Sequence, residues 1–293
     1  MVGRGTPDAG SAGGRRPPVI NLWHGILPAV ILMAGFFIVP IAYTVGLSFV
    51  GADGSGLTLS NYATFFANDR FTDALARSVG MALTVVVLSS IVAYPLAYFL
   101  TYLVSEKRRV LLLFVLIAPF WTSFTIRAFS WQLVLSDSGV IAHYLEKLWG
   151  SPVALGFLYT MGASIFGLTL FGIMLITLMI FSVMVTIDRR LLEASLDLGG
   201  GAWRGFWEII FPLSLPGWVI GAVLTFIICV GDYAVPALLG GGFNPVLAQL
   251  MLSTLKGTYD LSMAATFAVV LVCVVLAATL PLALIRNQVR LQS

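Results

Sequence analysis

The sequence predicts an all-α polytopic membrane protein of six membrane-crossing helices, with a helix-turn-helix in the loop between the fourth and the fifth. Three observations carry this. Hydrophobic residues make up 59% of the 293 residues and charged residues only 10%, against roughly 25% charged in an ordinary soluble domain. The apolar residues fall in six long stretches almost free of charge, and the basic residues gather at alternate ends of those stretches. With a mean hydropathy of +0.99, the chain has too few polar groups to clothe a water-facing surface, which excludes a soluble enzyme, a disordered tail and a nucleic-acid module. The net charge of +3 does not point to nucleic acid either, because the basic residues are scattered rather than gathered on one face.

A bilayer core about 30 Å thick takes about 20 apolar helical residues. The six stretches of that length are 26–49, 79–104, 110–135, 161–187, 211–239 and 262–285; the third holds one charge, Arg127, and the fifth one, Asp232. The first is too long for the core of a cleaved leader and no small-residue cleavage site follows it, so it is expected to remain as a span. Lys and Arg are retained on the cytoplasmic side. One side collects Arg4, Arg15, Arg16, Lys107, Arg108, Arg109, Arg189, Arg190, Arg204, Arg286 and Arg290, while the other has Arg70, Arg77, Lys147 and Lys256. Both termini are therefore expected inside.

Residues 1–18 are rich in Gly, Ser, Pro and Arg, lack the apolar side chains that order a segment, and are expected to form a flexible cytoplasmic tail. After the first span, Asn61, Tyr62, Phe65, Phe66, Phe71 and Leu75 have the spacing of a short helix at the outer interface, with the aromatic rings anchored among lipid headgroups. Cys229 and Cys273 lie in apolar runs as small hydrophobes, and His24 and His143 stand far apart, so no metal site is expected.

In the loop 188–210, Asp188 caps a first short helix, Gly199 to Gly201 end it, a second helical piece runs over 202–210, and Pro212 marks entry into the fifth span. Within this loop stand Glu193-Ala194-Ser195, then Gly199, then Ile209-Ile210-Phe211-Pro212. This run resembles the signature of the permease subunits of ATP-binding-cassette importers: Glu-Ala-Ala, three residues, Gly, nine residues, Ile, one residue, Leu-Pro. Ser195 replaces the second Ala and Phe211 the Leu. Pro119-Phe120-Trp121-Thr122-Ser123 with Ile126-Arg127, and Gly231-Asp232-Tyr233 with Pro236-Ala237-Leu238-Leu239-Gly240-Gly241, are similar to the spermidine/putrescine branch, in its first-permease form. Other permeases of the class carry iron, amino-acid-derived or phosphonate solutes.

The resemblance implies a type I importer permease domain over 19–293, paired with a second permease. Two copies of a cytoplasmic ATPase carry ATP and Mg, and a periplasmic binding protein delivers the solute. This chain lacks the Gly-x-x-x-x-Gly-Lys-Ser/Thr phosphate loop, so it is expected to be no enzyme itself. Glu193, Ala194, Asp197, Gly199 and Arg204 are then expected to couple to the ATPase. Arg127 and Asp232 are costly in lipid, about 2.5 to 3.5 kcal/mol each; they are expected either to line the path or to pair with each other. Trp121, Trp131 and Tyr233 are placed to stack on a cationic amine. Gly217 and Gly221 form a Gly-x-x-x-Gly pair that lets helices approach. An intramembrane enzyme would need a nucleophile or metal constellation, such as facing Asp residues or His-Glu-x-x-His, which the sequence lacks. An ion-driven transporter would show mid-span acids and repeat symmetry.

Overall fold

The computed structural model describes residues 22–51, 56–151, 154–197 and 199–290; the expected tail over 1–18 lies outside them. The chain divides into two units, Met1–Thr44 and Val45–Ser293. The first helix runs as α1 (Leu22–Met33), a π-turn (Ala34–Ile38) and α2 (Val39–Ser48). Its wide turn has a local cause. Pro40 has no N–H, and its ring crowds the carbonyl four residues earlier, which is that of Phe36 inside the π-turn.

The second unit begins with α3 (Ser60–Ala67) and the long α4 (Asp69–Tyr98), which closes in a second π-turn (Phe99–Leu103). The second helix starts ten residues before the expected 79. Asn68 caps it through its carboxamide oxygen, which accepts from the Arg70 N–H at 3.0 Å, so the helix forms in the polar segment and only then turns apolar. Of the outer aromatic residues Phe65 differs from expectation, while Phe66 stays 63% exposed. Phe65 is fully buried, packed on Phe71 at 6.0 Å and Phe267 at 5.5 Å between centroids, because three rings satisfy each other's edges and faces better than headgroups would. Asn61 is buried and donates to the carbonyls of Ser48 and Val50 at 3.1 and 2.8 Å.

The expected third span is broken. Helix α5 (Glu106–Ile117) passes through a 3-10 turn (Ala118–Trp121) and stops, and α6 (Phe124–Leu135) leaves at 92° before α7 (Val140–Trp149). Pro119 cannot continue the α ladder, and Thr122 and Ser123 are non-helical, with ψ of 148° and 137°. Beyond α8 (Met161–Met184) come α9 (Arg189–Asp197), α10 (Ala202–Gly205), a third π-turn (Phe206–Ile210) and α11 (Phe211–Gly231). The expected fifth span to 239 stops at Gly231. Asp232 accepts from the N–H groups of Ala234 at 3.2 Å and Val235 at 3.0 Å, opening the separate α12 (Ala234–Leu239). The chain closes with α13 (Leu247–Gly257) and α14 (Leu261–Arg290). Among the described residues five helices are long and apolar enough to cross a bilayer, and the bent pair over 106–149 is a sixth if taken as one broken span.

Helices α4, α8 and α11 form the centre of the unit. Gly217 and Gly221 make the α8–α11 contact possible: a β-carbon on Gly217 would stand 2.5 Å from the Met179 carbonyl oxygen, and one on Gly221 3.0 Å from the Ile176 Cα. One apolar cluster, around Phe65, Met81, Leu168, Phe226 and Phe267, fills the half toward α3 and α13. A second, around Ala93, Ile176, Ile180, Met184 and Ile210, lies where α8 and α11 meet the α9–α10 hairpin.

Candidate coupling and translocation sites

The α9–α10 hairpin is built by short-range chemistry. The Asp188 carboxylate accepts from the Arg190 N–H at 3.0 Å at the start of α9. At its end the Gly200 N–H returns to the Ser195 carbonyl at 2.8 Å, across a turn in which Gly199 takes φ +79°, a conformation that costs side chains with a β-carbon. Helix α10 continues without a break through the π-turn into α11, as the segment Trp203–Gly231. Entry into the fifth span is therefore smooth rather than marked off at Pro212. Here too a proline explains the wide turn, since the carbonyl crowded by Pro212 is that of Glu208, within it.

Glu193, Ala194 and Asp197 are exposed on α9, Gly199 is exposed at the turn, and Arg204 is exposed on α10. Arg204 donates to Glu208 one turn on, at 2.8 Å; with both side chains largely in water this pair adds little stability. It lines a cleft of about 380 Å³ with Leu191, Ala194, Ser195, Gly200 and Ile209. Toward the membrane the hairpin rests on aromatic rings. Phe206 packs edge-on against Tyr98 at 5.8 Å and Trp207 lies 4.9 Å from Phe211, and Trp218 donates to Ser90 at 2.8 Å, the whole lining an apolar groove of about 790 Å³ between α4 and α11.

The five residues expected on a solute path are only partly brought together. Helix α12 packs on α6, which places Asp232 and Tyr233, at the start of α12, in the same layer as the helix that carries Arg127 and Trp131. Trp131 is half-buried with its ring edge-on to Phe166 at 5.0 Å. Trp121 is 75% exposed, before the break. Arg127 and Asp232 form no ion pair among the described residues: Asp232 is committed to backbone N–H groups, while the Arg127 guanidinium lies 4.5 Å over the Phe120 ring and 5.4 Å from that of Phe124.

One residue of structural weight escaped the sequence reading. Arg109, counted there only as an orientation charge, donates from Nε to the Leu100 carbonyl at 2.9 Å and from Nη2 to those of Thr101 at 2.9 Å and Val104 at 3.4 Å. It closes the frayed end of the second helix, where carbonyls lack partners in the helix. The signal that could have found it is an Arg six residues beyond the end of a long apolar helix.

The comparisons agree with this architecture. The family described as "Binding-protein-dependent transport system inner membrane component" matches residues 56–290. The "Spermidine/putrescine transport system permease protein PotB" of Salmonella typhimurium (strain SL1344) is 32% identical over 221 residues, covering 74% of this chain and 76% of the relative. That of Escherichia coli (strain K12) is 31% identical, covering 74% and 80%, and the "Inner membrane ABC transporter permease protein YdcU" of the same organism is 30% identical, covering 73% and 71%. In fold, the chain is similar to a bacterial ABC transporter involved in the import of the acidic polysaccharide alginate, with a TM-score of 0.73 at 19% identity over 88% of this chain and 93% of that one. It is also similar to the MetNI methionine ABC transporter in an inward-facing conformation, with a TM-score of 0.53 at 18% identity over 73% and 94%. With six apolar segments, a signature loop between α8 and α11 and a family match over most of its length, the chain belongs to the binding-protein-dependent transport system inner membrane components, the multi-pass permeases of the inner membrane.

Proposed function

We propose that this chain is the first permease of a polyamine importer, carrying spermidine or putrescine inward. It pairs with a second permease, receives solute from a periplasmic binding protein and is driven by two copies of a separate ATPase that bind ATP and Mg. The observation that carries the substrate class is the 32% identity to a spermidine/putrescine permease over 74% of the chain. Both termini face the cytoplasm, in line with the eleven basic residues on that side against four on the other.

In this reading the α9–α10 hairpin docks in the ATPase through Glu193, Ala194, Asp197 and Arg204, with Gly199 setting its turn. Because α10 runs unbroken into α11, a push on the hairpin is delivered along α11 to its far end, where Asp232 and α12 sit. Trp131 and Tyr233 offer ring faces to an ammonium group, Trp121 extends that lining, and the Asp232 charge attracts it while capping α12.

The test is reconstitution of the four proteins in proteoliposomes. Spermidine or putrescine, presented on the binding protein, is expected to raise ATP hydrolysis and to accumulate inside, while this chain alone hydrolyses no ATP. Stimulation by a phosphonate, an iron complex or an amino-acid-derived solute instead would overturn the substrate; uptake without the ATPase would overturn the drive.

A further inference from the structure

Helix α7 bears more apolar surface than the rest of the chain covers. At about 3.6 residues per turn, the residues of Val140–Trp149 fall on three arcs. Val140, Tyr144 and Leu148 form an open arc, 55%, 63% and 79% exposed. Ile141, Leu145 and Ala142 come next around the helix and are half-buried or buried. The third arc is polar: Glu146, His143 and Lys147, all exposed. In this order Lys147 borders Val140 at the edge of the open arc, and Glu146 borders Ala142 at the edge of the buried one. The helix is thus built to meet three surroundings at once, which are protein, water and something apolar.

Its height says what the apolar surroundings are. At the junction of α6 and α7, Gln132 donates to the Tyr159 hydroxyl at 3.2 Å, and the Asp137 carboxylate accepts from the Gly156 N–H at 3.0 Å. Both bonds tie the junction to the residues just before α8. That helix has 24 residues, roughly 36 Å at 1.5 Å each, against a bilayer core about 30 Å thick, so its first residues stand at the edge of the core. The direction agrees with the height. The segment Phe124–Trp149 runs at 92° to Glu106–Trp121, so with α5 rising through the bilayer it runs along the bilayer plane.

We propose that α7 is an interfacial anchor, lying flat in the phospholipid headgroup layer on the side of the bilayer away from the α9–α10 hairpin. Val140, Tyr144 and Leu148 dip into the acyl boundary, and Lys147 stands beside the lipid phosphates. A protein partner fits this face less well, because the centres of protein interfaces are depleted in Lys, whereas helices at a bilayer surface carry Lys along the polar edge and aromatic residues beside it. Water fits least, since it would leave a continuous apolar arc bare. The inference depends on the membrane-crossing architecture alone and is independent of the solute carried.

The experiment uses the full chain, with the subunits it retains, in vesicles of phosphatidylethanolamine and phosphatidylglycerol. Cys273, exposed on α14, is replaced by Ala, while Cys229 is buried and stays. Tyr144→Cys, Leu148→Cys and Glu146→Cys are each labelled with a nitrobenzoxadiazole fluorophore and read against the same complex with no cysteine added. All three positions are exposed, so the fold is expected to tolerate the label, and thermal unfolding checks it. Probes at 144 and 148 are expected to lose most of their emission to phospholipid carrying a nitroxide on the shallow part of its acyl chain, and little to a deep nitroxide or to iodide present on both sides. The probe at 146 is expected to lose most of its emission to iodide. Iodide quenching at 144 and 148 would put the open arc in water, strongest quenching by the deep nitroxide would put it inside the core, and protection from every quencher would put a second protein on this face; each of these overturns the proposal.

Discussion

Trp218 and Ser90 join α11 to α4 through one hydrogen bond, indole N–H to hydroxyl, 2.8 Å long. The Ser90 hydroxyl donates in turn to the Val86 carbonyl at 2.6 Å, so removing the indole leaves no buried donor stranded. Trp218→Phe should therefore cost about 0.5 to 1.5 kcal/mol for the lost bond, and Ser90→Ala, which leaves the indole N–H without its acceptor, about 1 to 3 kcal/mol. The double variant should cost less than the sum, because both remove the same bond. Thermal unfolding of the purified complex measures all three; strict additivity would mean the bond carries no energy.

A β-carbon on Gly221 would stand 3.0 Å from the Ile176 Cα and 3.1 Å from the Met179 Cβ. Gly221→Val should push α11 off α8 and destabilise the complex by about 1 to 3 kcal/mol. Gly231→Ala, where the added carbon would meet nothing within 4 Å, should stay near neutral. Equal melting temperatures for the two variants would show that α8 yields without strain.

At Gly199 there is space but an unfavourable backbone: nothing lies within 4 Å of an added carbon, and φ is +79°. Gly199→Val should cost about 1 to 3 kcal/mol of local strain and reduce solute-stimulated ATP hydrolysis, whereas Gly199→Asn, tolerant of this conformation, should keep most of it. Full stimulation with Val in place would separate the turn from coupling.

Capping and charge can be separated at Asp232. Asp232→Ala removes both and should loosen α12 by about 0.5 to 2 kcal/mol. Asp232→Asn keeps an acceptor for a backbone N–H, so stability should hold while uptake of a cation falls. Since no ion pair links Arg127 to Asp232, adding Arg127→Gln should not rescue Asp232→Ala. Normal uptake with Asn would limit Asp232 to its cap.

What the sequence made legible is what depends on near neighbours in the chain. The apolar runs, the turn at Gly199 and the close approach at Gly217 and Gly221 are local signals of lipid, backbone freedom and side-chain size. Direction is another matter. Hydropathy through residues 110–135 reports solvent, not heading, so Pro119 could mean a mild kink as well as the right-angle turn it makes. Apolarity likewise continues past Gly231 to Leu239 while the helix does not, because a carboxylate that reads as a buried charge is in fact a cap. The start of α4 is hidden for the opposite reason: Asn61 to Leu75 read as one short interfacial helix separate from the span, yet a helix can form in water before it enters lipid, and α4 runs from Asp69 straight into it. Phe65 was misplaced because Phe267, which its ring meets, lies two hundred residues away, beyond the reach of any local pattern.

Arg109 serves at two moments in the life of the chain. In the orientation proposed above, its positive charge, with Lys107 and Arg108 beside it, holds the loop back on the side of synthesis while the polypeptide is threaded into the bilayer. Once α4 and α5 have formed, the same guanidinium is consumed by three backbone carbonyls and turns from an address label into a rivet. Lysine would serve the earlier moment equally well, but an ammonium lacks the planar fork that reaches Leu100 and Thr101 together. The residue type at this position is thus set by the finished protein and its charge by the nascent one.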